Sequence, residues 1–224
     1  MLESLTQTSQ LYERLRSAII TLELLPGESL AERGLESRFQ ASRTPVRAAL
    51  VRLEPEGLVR RNGRGFIVAP IDLDEIASLA EYREAIETAA VRLAVERATD
   101  AQLDLLAADL RTERREHDPD APAGESVRHG GSFHTRLAEL SGNGFLAGAV
   151  ADALRRLERT RHLEARSAES REHAHDEHAS IVQAVRARDA ELASTLVARH
   201  IRGTHDRLRE ALAASDWRRT AALR

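Results

Sequence analysis

The spacing of apolar residues changes its period within residues 11–68, and this change restricts the folds open to that stretch. Apolar residues recur three or four positions apart from Leu11 to Leu22 and from Val46 to Leu53, which predicts two amphipathic helices. A shorter helix is expected at 31–39. From Leu58 to Val68 two β-prone runs flank the dipeptide Asn62-Gly63, which favours a two-residue hairpin turn. We therefore expect three helices followed by a β-hairpin.

The predicted third helix has a marked start and a basic surface. Thr44 is expected as its N-cap, with Pro45 at the first helical position. Six arginines and only two acidic residues lie between Arg43 and Arg64. Each arginine alone is an ordinary solvated charge, but a basic helix after a tight turn fits the DNA major groove, and a basic hairpin tip fits phosphates or the adjacent minor groove. The order of these elements favours duplex DNA as a partner.

These residues carry a family resemblance over about residues 8–70. The stretches Leu11-Tyr12-Glu13-Arg14-Leu15-Arg16, Pro26-Gly27-Glu28-Ser29-Leu30, Ser42-Arg43-Thr44-Pro45-Val46-Arg47-Ala48-Ala49-Leu50 and Gly63-Arg64-Gly65 resemble the GntR family of winged helix-turn-helix repressors. The resemblance implies base and phosphate contacts by Arg33, Arg43, Thr44 and Arg47, a phosphate contact by Ser42, and a wing formed with Gly63 and Arg64. Gly34 and Pro55 depart from the family's usual pattern. Residues 1–70 are thus expected to form the DNA-binding domain.

Composition excludes several other classes of protein. The chain has 224 residues, no cysteine and 3% aromatic residues. Without cysteine there is no disulfide framework and no thiolate metal site, and few aromatic residues argue against stacking on single-stranded nucleic acid. No signal-peptide pattern and no apolar run of about 18 residues occur, so we expect a cytoplasmic protein with no membrane partner.

Beyond a short linker at 70–74 the patterns are helical. They predict an all-α domain of about six helices over 71–224, near 74–98, 101–116, 127–140, 145–166, 168–187 and 189–214. Breaks are expected at 117–126 and 141–144. The chain as a whole is predicted to be mainly α, with a winged helix-turn-helix followed by a helical bundle.

A charged pair interrupts the apolar stripe of the first helix in this second domain. Arg83 and Glu87 fall where core residues are expected. Since they are four residues apart, the two charges can simply neutralise each other. Alternatively, Arg83 lines a cavity and holds the carboxylate or phosphate of a ligand.

All nine histidines lie in the second part of the chain, and three lean toward apolar faces. His178 and His200 share stripes with apolar residues, and His134 lies at the edge of one. Because they belong to three separate predicted helices, they can converge on one metal ion inside a bundle. The alternative is three core histidines satisfied by hydrogen bonds.

A second resemblance covers about residues 72–214. The segments Arg83-x-x-Ile86-Glu87, Phe133-His134, Ser141-Gly142-Asn143, Glu177-His178-x-x-Ile181, Asp189 and His200-Ile201 look like the FCD effector-binding domain of the FadR-type branch. Many members of that branch hold a divalent metal through one Asp and three His and recognise small organic acids. The resemblance implies His134, His178 and His200 as metal ligands and Arg83 and Asn143 as effector contacts.

The aspartate of that ligand set has no counterpart here. It would fall four residues before His134, where this chain has Gly130. His129 or His175, a water molecule or the ligand's carboxylate are the alternative substitutes. Three imidazoles favour zinc or nickel over magnesium.

Together these observations predict a homodimeric repressor that binds a pseudo-palindromic operator and responds to a small carboxylate effector. A competing hypothesis is a three-histidine metal hydrolase. It needs a general base beside the metal, but Glu177 points about 100° away from His178 on a helix, and no nucleophile motif such as G-x-S-x-G is present. A pure scaffold would leave Arg83 and the histidines without a purpose. The expectation is therefore a regulator and not an enzyme.

Overall fold

A computed structural model describes residues 7–115, 123–165 and 167–214; for residues 113–115, 123–126 and 214 it describes only the backbone. Within these residues it contains nine helices and one two-stranded antiparallel sheet, in the order α1 (Gln7–Ile20), α2 (Glu32–Phe39), α3 (Arg43–Leu53), β1 (Val59–Asn62), β2 (Gly65–Val68), α4 (Leu73–Arg97), α5 (Asp100–Arg115), α6 (Ala123–Glu139), α7 (Gly144–Glu164), α8 (Ala168–Arg186) and α9 (Ala190–Ala214). The predicted fold class is confirmed. The described residues divide into two compact units at Leu73–Asp74.

The first unit is organised around the packing of α1 on α3. Leu15, Ile19, Leu50 and Leu53 are fully buried at its core. The segment before α2 runs beside the hairpin, where the Val68 amide donates to the Glu28 carbonyl at 2.9 Å and the Leu30 amide donates to the Phe66 carbonyl at 2.8 Å. These backbone bonds fix β2 against the helical core and so position the wing.

Two local predictions in this unit are wrong by one or two residues. The N-cap of α3 is Ser42, which has extended φ and ψ, and not Thr44. Proline is tolerated throughout the first helical turn because those amides lack intrahelical partners, so Pro45 does not mark the first position alone. The hairpin loop is Gly63-Arg64, because Asn62 still pairs with Gly65. Gly63 takes the left-handed conformation there, with φ +59°.

The second unit packs six helices around an apolar core. Helix α8 contacts α5, α6 and α9, and α7 contacts α6 and α9. Buried apolar side chains from α4, α5, α6, α8 and α9 form one cluster. Helix α6 begins at Ala123, earlier than predicted, and most of the expected break at 117–126, with His117, lies outside the described residues. None of the helices in the described ranges combines the length and apolar character needed to cross a bilayer.

Candidate functional site

The basic residues of the first unit lie on its surface. Arg33 on α2, Ser42, and Arg43, Thr44 and Arg47 on α3 are exposed, and Gly63 and Arg64 are exposed at the hairpin tip. Arg43 forms a salt bridge with Glu32, so α2 orients a side chain at the start of α3. The start of α3 and the wing thus present donors that suit phosphates and base edges.

Polar contacts hold the end of α3 and the residues after it against α1. Tyr12 on α1 donates to a Glu56 carboxylate oxygen at 2.5 Å, and Arg16 donates to the other at 3.3 Å. Burial and this hydrogen bond raise the pKa of Tyr12 to about 12. The Arg52 guanidinium lies over the Tyr12 ring, 3.7 Å from its centroid. These contacts hold the end of α3 against α1 and so fix the angle at which its exposed face is presented.

The second unit brings three histidines together. His134 on α6, His178 on α8 and His200 on α9 are all buried, and one ring nitrogen of each lies within 4.8 Å of the others. The Nε2 atoms of His134 and His200 are 3.1 Å apart, and those of His178 and His200 are 3.3 Å apart. Two ligands at about 2.0–2.1 Å from a tetrahedral zinc would be separated by about 3.3 Å. The two spacings that involve His200 therefore fit a transition-metal ion.

Carboxylates lie behind two of these rings. Nδ1 of His134 is 2.7 Å from a Glu87 oxygen, and Nδ1 of His200 is 2.7 Å from a Glu177 oxygen. Burial alone would raise the pKa of Glu87, but Arg83 and His134 hold it well below its usual range. An ionised carboxylate accepts from a donor, so the Glu177 contact favours hydrogen on Nδ1 of His200. At His134 the Glu87 oxygen is equally close and favours the same tautomer, but the geometry is not that of a hydrogen bond. Such partners fix the orientation and tautomer of histidines that ligate metals.

At neutral pH the three clustered imidazoles carry no positive charge. Burial lowers the pKa of His134 to about 3 and lowers the pKa of His178 and of His200 as well. Neutral rings with hydrogen on Nδ1 present lone pairs at Nε2. The Nε2 atoms of His134 and His200 are 3.1 Å apart, so with hydrogen on Nδ1 of both rings their lone pairs would face each other. A cation at this point removes that unfavourable contact, so the donor set suits a metal.

A cavity of about 410 Å³ opens onto the histidine cluster. Arg83, Arg161 and Arg171 line it together with the three histidines, His129, Gly130 and His175. Arg83 is buried, and its Nε donates to Glu87 at 2.7 Å. Its Nη2 is buried and has no hydrogen-bond partner among the described residues. Arg83 thus forms the core ion pair and also lines the cavity; its role as a ligand contact stays a prediction.

Several predicted site residues take other positions. Asn143 is the N-cap of α7, where its side-chain oxygen accepts from the amides of Phe145 and Leu146, and it does not line this cavity. His129 and His175 line the cavity but do not belong to the three-histidine group found in the described residues. Next to Gly130, the space that a side chain would enter is filled by Arg161, whose Nη2 lies 2.9 Å from an ideal Cβ at Gly130.

Comparison with known proteins assigns the family. Residues 7–68 match the model of bacterial regulatory proteins of the gntR family, and residues 78–203 match the FCD domain. The Nta operon transcriptional regulator of Aminobacter aminovorans is 32% identical over 192 residues, covering 85% of this chain and 89% of that relative. The chain belongs to the GntR family.

Other relatives and solved structures agree with this assignment. The transcriptional repressor RspR of Escherichia coli K12 is 26% identical over 215 residues, covering 93% of this chain and 92% of that relative. The structure of E. coli McbR/YncC has a TM-score of 0.68 at 21% identity and covers 93% of this chain and all of that one. A GntR regulator structure from Rhodococcus sp. RHA1 has a TM-score of 0.69 at 20% identity, covering 94% of this chain and 100% of that one. These structures share the fold.

The GntR-family chain is a DNA-binding transcriptional regulator and not an enzyme. Its relatives and both matched domains are those of transcription regulators. The geometry agrees, because the Glu177 carboxylate lies at Nδ1 of His200, on the side of the ring away from the clustered Nε2 atoms. In that position it orients an imidazole and is not placed as a general base on a metal-bound water.

Sequence reasoning missed one residue that lines this regulator's cavity, Arg161, and two contacts made by glutamates behind the histidines. Arg161 has a visible signal, because it continues the buried series Val150, Leu154 and Leu157 at spacings of four, three and four. An arginine on an apolar stripe is the pattern by which Arg83 was singled out. The contacts of Glu87 to His134 and of Glu177 to His200 have no such signal, since each joins separate helices.

Proposed function

We propose that this GntR-family regulator is a homodimeric, cytoplasmic repressor whose operator binding is controlled by a small organic acid in the cavity of residues 74–214. The observation that carries the proposal is the cavity itself, in which buried arginine donors and three histidines face one enclosed space. Its volume of about 410 Å³ suits a small ligand. The name of the relative RspR, a transcriptional repressor, supports repression. Residues 1–70 are the proposed DNA-binding domain, and 71–224 the effector and dimerisation domain.

DNA contact is assigned to the exposed residues of α2, α3 and the wing. We infer that Arg43, Thr44 and Arg47 enter the major groove, with Arg33 and Ser42 on phosphate and Gly63-Arg64 along the backbone or minor groove. Each protomer of a homodimer would read one half-site, so the operator is expected to be pseudo-palindromic. Ligand binding changes operator affinity only if the ligand favours one relative placement of the two winged-helix units in the dimer.

The proposed cofactor is a divalent transition metal, zinc or nickel, held by His134, His178 and His200. Support comes from the 3.1 and 3.3 Å spacings and from the carboxylates that orient two of the rings. The bound ion would act as a Lewis acid that attracts an anionic effector. Arg83 supplies a charged hydrogen-bond donor to the same effector.

The DNA assignment is tested with an operator selected from a random duplex library and measured by fluorescence anisotropy. Arg47→Ala is expected to weaken binding by about 1–3 kcal/mol, whereas Arg155→Ala, an exposed arginine of α7, is expected to leave it unchanged. Wild-type affinity should fall steeply with salt. Full affinity in both Arg43→Ala and Arg47→Ala would show that α3 is not the recognition helix.

Effector control and the metal are tested separately. Small carboxylic acids that raise the thermal unfolding temperature should also shift operator affinity, and Arg83→Met should abolish both responses. A stabilising acid that leaves operator affinity unchanged would contradict effector control. For the metal, elemental mass spectrometry of protein purified without chelator should find about one ion per chain. The ion should be lost in His178→Ala and kept in Arg155→Ala, an exposed change on α7.

A further inference from the structure

Arg161 occupies the wall of the cavity beside the histidine cluster. Its two terminal nitrogens lie against the backbone of a glycine pair, 2.9 Å from an ideal Cβ at Gly130 and 3.2 Å from one at Gly131. The same Cβ at Gly130 would be 3.5 Å from Cε1 of His178. The guanidinium is therefore within a few ångströms of a candidate metal ligand. Glycine at both positions leaves the space that it fills.

The charge of Arg161 is not matched by a close carboxylate. Arg83 is paired with Glu87, and Arg207 bridges Glu164 and Glu177 at 2.8 and 3.3 Å. Among the residues that the structure describes, no salt bridge or side-chain hydrogen bond engages Arg161. Burial and the neighbouring Arg83 charge lower its pKa to about 10, where it is still a cation at neutral pH. The cavity wall thus holds a positive charge that no salt bridge within the described residues neutralises, and Glu87, Glu164 and Glu158 act on it only from farther away.

The histidine cluster adds no negative charge of its own. Within the described part of the chain its ligand group consists of three imidazoles, which ligate a metal in their neutral form. The nearby carboxylates Glu87 and Glu177 act behind the rings and are each shared with an arginine. Glu164 and Glu172 also line the cavity, where Glu164 pairs with Arg207 and Glu172 is exposed to solvent. A divalent cation bound here alone would face repulsion from Arg83 and Arg161 across a poorly solvated space. An anion between them would relieve the repulsion and satisfy the buried Nη2 of Arg83.

We propose that Arg161, with Arg83, makes this centre bind a divalent metal and a carboxylate ligand cooperatively, so that neither is held tightly without the other. Arg161 then acts as the residue that couples ligand and metal. Because binding free energies are reciprocal, the ligand strengthens metal binding by the same factor as the metal strengthens ligand binding. The inference rests on the proposed metal and effector functions of the same cavity.

The test measures zinc affinity by calorimetry on full-length protein stripped with chelator, with and without excess acetate as the carboxylate probe. In the wild type, acetate is expected to tighten zinc binding by about tenfold or more, a typical size of coupling between sites. Arg161→Gln should bind zinc more tightly than the wild type without acetate and should respond little to acetate. Arg155→Gln, an exposed change on the same helix, should behave as the wild type does.

Arg161→Lys keeps the positive charge and should therefore keep most of the response to acetate. It is a second variant that tests the same residue if Arg161→Gln does not fold. Zinc affinity that is independent of acetate in the wild type and unchanged in Arg161→Gln would overturn the inference. If zinc is still lost in His178→Ala in that case, the proposed metal site stands and only the coupling fails. Absence of zinc binding in the wild type and every variant would overturn both the metal site and the coupling. The operator-binding measurement would then still test the proposed repressor function.

Discussion

The buried pair Arg83–Glu87 allows a double-mutant cycle whose outcome follows from its contacts. Both side chains are 4% exposed, and the Glu87 carboxylate also lies 2.7 Å from Nδ1 of His134. Removing one member of a buried ion pair leaves the other charge unpaired in a poorly solvated space, which costs about 3–5 kcal/mol. Glu87→Met and Arg83→Met should therefore each lower the free energy of unfolding by that amount.

The double variant Arg83→Met/Glu87→Met removes both charges and keeps apolar volume. Replacing a buried pair with apolar residues is often nearly neutral, and here His134 also loses the carboxylate that lies 2.7 Å from its Nδ1, worth roughly 1 kcal/mol. We expect the double variant to be destabilised by about 1–2 kcal/mol, less than either single variant. The corresponding coupling energy is several kcal/mol, well above that of non-interacting sites.

The assay is urea denaturation of chelator-treated protein followed by far-ultraviolet circular dichroism, with the transition of the six-helix unit fitted separately from that of the winged unit. Exposed Arg155→Met on α7 serves as the control and should change stability by less than about 0.5 kcal/mol. Strictly additive losses in the cycle would refute the argument, because they would show that Arg83 and Glu87 do not depend on each other for their burial.

Three further predictions concern local contacts. Tyr12→Phe removes the donor to Glu56 and should destabilise the winged unit by about 1 kcal/mol in urea denaturation; an unchanged midpoint would contradict the bracing of α3. Asn143→Ala removes the N-cap of α7 and should lower the free energy of unfolding by about 0.5–2 kcal/mol while leaving zinc affinity unchanged in calorimetry. A loss of effector binding without a loss of stability would show that Asn143 contacts the effector. The folded-state pKa of His134 is lowered to about 3, so below pH 6.5 the unfolded chain takes up the proton first. Stability of the metal-free protein should then fall on acidification, with about 1 kcal/mol from His134 between pH 7 and 5.5. Replacing His134 with Gln should remove that share of the slope, and an unchanged slope would show that the ring is not buried neutral.

Local sequence determined the elements of this regulator. Helical periodicity, a two-residue turn signal and the Pro26-Gly27 break set the order of helices and hairpin, because each depends on residues within a few positions of one another. The ends of the elements were predicted less accurately. Ser42 caps α3 and Thr44 does not, because all amides of the first turn lack a helical partner and the sequence does not show which residue precedes them.

Tertiary structure decided the chemistry of the cavity. Wheel positions could place His134, His178 and His200 on inward faces, but their convergence within 4.8 Å depends on how α6, α8 and α9 pack. The same packing sets Glu177 behind His200 and lays Arg161 over Gly130. These contacts join residues 22 or more positions apart, and helix periodicity carries no information about distance between helices. Helical periodicity thus predicted that these histidines face the interior, and the packing of the helices determines which side chains come into contact.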